Sequence, residues 1–119
     1  EDITLVKVEK ATTYAITLPT IPSKNGVSVK LEGPAKAVAG QTVTVTAKLT
    51  GKATADTTLT VSGVSGIDTA YAGTFTGVTR TGAGALKVAN TTDLGSAGLN
   101  VQFTFTMPDS VADITGSLA

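Results

Sequence analysis

Asp109 and Asp113 flank a short segment just after Pro108, and carboxylates so placed are the first residues to test for chemistry. A glycosidase needs two carboxyl groups held roughly 5–9 Å apart across a cleft. A simpler role competes. Asp109 suits a turn, which its side chain can cap, and Asp113 suits a solvated position. The remaining carboxylates pose a calcium question. Asp93 with Asn90, or Asp56 with Asp68 if the fold brings them together, could supply oxygen ligands. The chain holds no Asp-x-Asp or Asp-x-Asn cluster, so turn chemistry is the favoured reading there too.

Other side chains invite sharper tests. An intramolecular isopeptide bond needs a Lys, an Asn or Asp on an adjacent strand and an acid between them. Lys7 and Asn100 are conceivable partners, with Glu32 or Glu9 as the acid, yet nothing in the sequence places them together. Sugar-binding modules present exposed aromatic platforms. With 2 Tyr, 3 Phe and no Trp, only Tyr14 and Tyr71 are free for that role, because Phe103, Phe105 and Phe75 are expected in the core. A tyrosine at a strand end more often packs its ring inward and sends its hydroxyl to solvent. Asn90-Thr91-Thr92 is an N-glycosylation sequon, meaningful only in a eukaryotic secretory host. Gly63-Val64-Ser65-Gly66 lacks the Lys-Ser/Thr ending of a phosphate loop and reads as a turn.

Composition weighs against catalysis. There is no His and no Cys, which removes the commonest acid–base group near neutral pH, thiolate metal ligands and disulfides. Lys plus Arg (9) balances Asp plus Glu (9), so no basic surplus exists to neutralise nucleic-acid phosphates or anionic lipid. No run of 18 or more apolar residues is present to span a membrane as a helix. No signal peptide is visible. Glu1-Asp2-Ile3 opens directly into strand-like sequence, as a piece of a longer chain would.

What must position these groups is a set of strands. At 119 residues the chain is expected to form one domain with a real core. Thr and Val weigh heavily, and their branched Cβ suits a pleated, half-buried surface. Strict alternation recurs at Val27/Val29/Leu31, Val43/Val45/Ala47/Leu49, Leu59/Val61 and Val101/Phe103/Phe105/Met107. Each apolar set should face one core and each intervening polar set water. Weaker strand candidates are Ile3 to Glu9, Thr13 to Leu18, Tyr71 to Thr79, Ala85 to Ala89 and Ala112 to Leu118. Turns are expected at Asn25-Gly26, Gly33-Pro34, Gly40-Gln41, Gly51-Lys52, Gly63 to Gly66 and Gly82-Ala83-Gly84, with a polar loop from Asn90 to Gly98. No helical period stands out. Short strands with turns at such intervals read as a β-sandwich, with a closed barrel as the alternative.

Two stretches carry a family resemblance. "VSVKLEGPAKAVAGQTVTVTAKLTG", Val27 to Gly51, resembles the opening of bacterial immunoglobulin-like modules, and "FTFTMPDSVADITGSL" resembles the closing hairpin of repeats in bacterial surface proteins. Ser110-Val111-Ala112 is extra relative to that pattern, so a bulge or longer turn is expected there. The Asp-Ile-Thr of residues 2–4 recurs at 113–115, as in a tandem series.

The expectation is therefore an all-β, immunoglobulin-like antiparallel sandwich of about 7–9 strands. Residues 1–26 would form an N-terminal strand or linker, continuous with the sandwich or not, and residues 27–119 the module. The resemblance implies a non-catalytic spacer or surface-layer component, extracellular or in the cell wall, whose partners are neighbouring domains of its own chain. A second reading is an adhesion module for a glycan or a surface protein, including one attached to a secreted glycoside hydrolase. Neither reading calls for a cofactor, a metal or a catalytic residue.

Overall fold

The computed structural model describes residues 12–119. They are all-β, with no helix among them. Eleven strands follow one another: β1 (Thr13–Thr17), β2 (Val27–Glu32), β3 (Lys36–Val38), β4 (Thr42–Lys52), β5 (Thr57–Ser62), β6 (Asp68–Thr69), β7 (Val78–Gly82), β8 (Ala85–Val88), β9 (Asp93–Thr106), β10 (Ala112–Asp113) and β11 (Thr115–Leu118). Three of them, β3, β6 and β10, are only two or three residues long, so the count exceeds the number of alternating runs in the sequence.

Two four-stranded sheets, β2-β4-β9-β6 and β11-β5-β8-β7, sandwich a common core. A small third sheet, β10-β1-β3, adjoins them. The apolar phase of each strand decides which face turns inward. Val43, Val45, Ala47 and Leu49 of β4 pair with Phe105, Phe103, Val101 and Leu99 of β9, and all but the partly buried Leu99 are fully buried. Leu59 and Val61 of β5, Val78 of β7 and Leu86 and Val88 of β8 face them from the second sheet. Thr residues fill the opposite phase and line up across strands, Thr42 with Thr106 and Thr44 with Thr104. The Asn25-Gly26 turn forms as its residues dictate. Both residues take left-handed φ (51° and 78°), while Lys24 and Val27 exchange backbone hydrogen bonds at 3.0 and 2.9 Å.

Several local expectations give way to tertiary contacts. Gly51-Lys52 is not a turn: β4 runs through it, with register shifts against β9 at Gly51. Gly51 (φ +98°) lies against the Gly26 carbonyl, which any Cβ there would strike. The expected loop from Asn90 to Gly98 is strand from Asp93 onward, because Leu94 is buried and Gly95 and Gly98 bend the strand at positive φ. Tyr71 to Thr79 is the reverse case. It stays irregular until β7 begins at Val78, and Phe75 lies in that irregular stretch, packed against the core but only partly buried. The final strand breaks at Ile114, where the chain leaves the small sheet for the β5 sheet.

The pairing is not antiparallel throughout. β1 runs parallel to β10, with Ile16 beside Ala112 and Thr17 beside Asp113, and antiparallel to β3. Residues 13–17 are thus bonded on both edges to the stretch that follows Val27. The Ile3 to Glu9 candidate, and the repeated Asp-Ile-Thr at 2–4, lie outside the described residues.

Phe105 is 3% exposed and lies opposite Val43, one pair in from the end of the central pairing. Phe105→Ala should cost about 3–5 kcal/mol through lost burial and an unfilled cavity. Chemical denaturation would measure it, and unchanged stability would mean that this face does not form the core.

Candidate functional site

The side chains singled out for chemistry are dispersed, and most are already bonded. Asp109 accepts a hydrogen bond from the Tyr14 hydroxyl at 2.5 Å, and Asp113 accepts one from Thr17 Oγ1 at 2.7 Å. Asp109 therefore reaches across to β1 instead of capping its own turn, and exposed Asp113 is tied to the same strand. Both carboxylates fasten β1 to the segment around β10. The bond to Asp109 holds the Tyr14 proton in place, so the hydroxyl titrates above the usual tyrosine range. The extra residues Ser110-Val111-Ala112 now have a role. Val111 is exposed, whereas Ala112 is buried and starts the parallel pairing with β1.

The calcium candidates separate in the same way. Asp56 accepts the Asn90 backbone N–H at 2.8 Å and faces Lys87 Nζ at 3.5 Å. Asp68 takes two bonds from the Arg80 terminal nitrogen, at 2.7 Å to each carboxylate oxygen, and one from Arg80 Nε at 3.2 Å. Asp93 accepts from the Gly95 N–H at 2.9 Å, a local turn within its own strand. No group of three or more His, Cys, Asp or Glu suited to a metal occurs among the described residues. Both Asp68 and Asp56 are held below the usual carboxylate range, Asp68 first by the Arg80 hydrogen bonds and Asp56 first by the Asn90 N–H. Of the isopeptide candidates, Asn100 lies opposite Lys48 on β4, Glu32 is exposed near Lys30, and Lys7 and Glu9 lie outside the described residues. In the sequon, Asn90 is exposed, Thr91 takes a left-handed φ of 73° and Thr92 is buried.

Among the described residues the carboxylates form no cleft, but a groove lies elsewhere on the surface. It is an open depression of about 610 Å³ between the outer face of the β4–β9 pair and the loop that follows β6. Its floor carries Thr46, Asn100 and Gln102, and its far wall is Ala70 to Thr74. Register explains the floor: Thr46 lies directly opposite Gln102, and Asn100 is on the same outward phase of β9. The wall is shaped by Tyr71. Its hydroxyl accepts the Phe75 N–H at 2.8 Å and can donate to the Val78 or Phe75 carbonyl, at 3.1 and 3.2 Å. Thr69 fixes the start of the loop by donating to the Gln102 carbonyl at 2.8 Å and accepting from the Tyr71 N–H at 3.1 Å. Sequence reasoning singled out Tyr71 as a possible sugar platform and Asn100 as an isopeptide partner, and missed Thr46, Thr74 and Gln102. No local pattern marks them, because the groove exists only where a loop folds back over two paired strands. Compared with known families, curated proteins and solved structures, the chain matches none.

Two measurements check this bonding. Tyr71→Phe keeps the ring but leaves the Phe75 N–H and a carbonyl without their partner, so it should cost about 1–3 kcal/mol. Amide exchange should speed up at Phe75 and Val78 first. For Asp68 the folded value is depressed, so its contribution is complete above the ordinary carboxylate pKa and is lost as pH falls through the folded one. Asp68→Asn should therefore lower stability at neutral pH, where that contribution is complete, and flatten the fall on acidification, so that variant and parent converge at the acid end. Thermal melts across pH 2–7 would read both limbs.

Proposed function

We propose that this chain is a non-catalytic, immunoglobulin-like module that transmits load and spaces neighbouring domains in a bacterial cell-surface or secreted protein. The observation that carries the reading is the parallel pairing of β1 with β10. Force applied through the chain on either side of the described residues pulls β1 toward its start and the β10–β11 segment toward its end. For parallel neighbours that is shear, in which the bonds between the strands are strained together instead of being opened one after another. Their ties include the Ile114 N–H donating to the Thr17 carbonyl at 2.9 Å and the Thr17–Asp113 and Tyr14–Asp109 side-chain bonds. Beyond Ile114 the same segment is zipped antiparallel to β5 from Thr115 to Leu118, so the small sheet and the β5 sheet share the load.

The wider architecture supports the same reading. The chain crosses between the two large sheets from β4 to β5, β5 to β6, β6 to β7, β8 to β9 and, through β10 of the small sheet, from β9 to β11, so repeated connections join the two sheets around one core. Asp109 and Asp113 serve hydrogen bonds to β1, Asp93 a local turn, and Glu32, Asp56 and Asp68 ion pairs. No helix among the described residues is long and apolar enough to cross a membrane. The surface setting, extracellular and beside other domains, rests on the resemblance of Val27–Gly51 and Phe103–Leu118 to bacterial surface modules.

Single-molecule pulling tests the proposal. With handles at Thr12 and Ala119 the β1–β10 pair is sheared, whereas with handles at Thr12 and Ser110 it is unzipped from one end. The shear geometry should require a several-fold higher unfolding force, and Thr17→Ala with Asp113→Ala should lower it. Equal forces in the two geometries would sink the mechanical reading.

A further inference from the structure

We infer that the groove between the β4–β9 face and the 70–74 loop binds a neutral oligosaccharide, a role beyond load transmission and independent of it. The first argument is the chemistry of the lining. Thr46, Thr74, Asn100 and Gln102 offer hydroxyl and carboxamide groups, each able both to donate and to accept. Such groups match the paired donor–acceptor character of sugar hydroxyls. No Asp, Glu, Lys or Arg lines the groove. The charges next to its floor, Lys48 opposite Asn100 and Glu32 opposite Thr46, lie outside the lining and are of opposite sign, so the groove offers no net charge to a phosphate, a uronate or a basic ligand.

The second argument is shape. At about 610 Å³ the groove lies within the roughly 300–1,000 Å³ range of small-molecule sites. It is open to solvent and not an enclosed cavity, which suits a segment of a longer glycan. An extended peptide added to the sheet would need pockets for alternate side chains, and the polar floor of Thr46 and Gln102 supplies none. The third argument is rigidity. Tyr71 is part of the wall, and its hydroxyl is committed to accepting the Phe75 N–H and donating to the Val78 or the Phe75 carbonyl. The ring is held in place before any ligand arrives, so little ordering cost falls on binding. The floor is fixed equally well by the uninterrupted register from Thr42 to Leu49 against Leu99 to Thr106.

The test uses residues 1–119 and a panel of polysaccharides in affinity electrophoresis. The neutral members are β-glucan, xylan and mannan; the anionic members are polygalacturonate and hyaluronan. A neutral glycan should retard the protein, and amide shifts on titrating a matching oligosaccharide should fall at Thr46, Thr74, Asn100 and Gln102. Asn100→Ala with Gln102→Ala should weaken retention about tenfold or more, as two lost hydrogen bonds imply, at an unchanged melting temperature. Lys30→Ala, on the same sheet outside the groove, should leave retention intact. If no neutral glycan retards the protein, the inference fails. It fails equally if anionic glycans are preferred, if shifts map elsewhere, or if the double variant binds as well as the parent. The pulling experiment does not touch these residues, so either result stands without the other.

Discussion

The pairing of β4 with β9 is the constraint on which the rest of the molecule depends. From Thr42 to Leu49 it runs in unbroken antiparallel register against Leu99 to Thr106. Because side chains alternate, this one register settles two surfaces at once. Inward, Val43, Val45, Val101, Phe103 and Phe105 are buried and form the floor of the core. Outward, Thr42, Thr44 and Thr46 meet Thr106, Thr104 and Gln102. A slip of one residue would bury the threonines, expose the phenylalanines and erase the groove floor together. Such a slip is strongly disfavoured, since each buried large side chain is worth about 1.5–3 kcal/mol.

Around that centre, polar side chains decide how secondary pieces attach. The small sheet is short, and its strands alone would hold β1 weakly. Tyr14 to Asp109 and Thr17 to Asp113 reinforce it with charge-assisted bonds. Elsewhere Arg80 of β7 grips Asp68 of β6, so an edge strand of one large sheet is tied to an edge strand of the other. Buried Thr57 is satisfied within the core, donating to the Ala55 carbonyl at 3.0 Å and accepting from Asn25 Nδ2 at 3.1 Å. Among the described residues no buried side-chain polar atom is left without a partner. Groups that looked like candidate chemistry in the sequence are thus fasteners between elements distant along the chain.

These features bear differently on function. A fold whose carboxylates are spent on fastening, and whose outer strands are joined in parallel, is well suited to holding shape under tension. The groove asks for something else, a surface with exposed amides over a rigid floor. The two proposed roles draw on different parts of the molecule and place no conflicting demand on any residue.

Alternation alone determined β2, β4, β5 and the second half of β9, along with the core membership of Phe103 and Phe105. Burial on one face demands period two, and that demand is written locally. The Asn25-Gly26 turn was equally legible, because few residues tolerate two consecutive left-handed φ values. The first half of β9 was not legible: Gly95, Gly98 and Asn100 look like loop residues until Gly51 and Lys52 pair with Gly95 and Asp93. The stretch from Tyr71 to Thr79 looked like strand, yet a single hydroxyl bonded to Phe75 and Val78 holds most of it irregular. Likewise Asp109 and Asp113 carried no sign of Tyr14 and Thr17, nearly the whole chain away. Only the tertiary structure decided the parallel β1–β10 pair, the partners of each carboxylate and the groove. Each joins residues far apart in the chain, and a local pattern cannot encode which distant partner will be within hydrogen-bond reach.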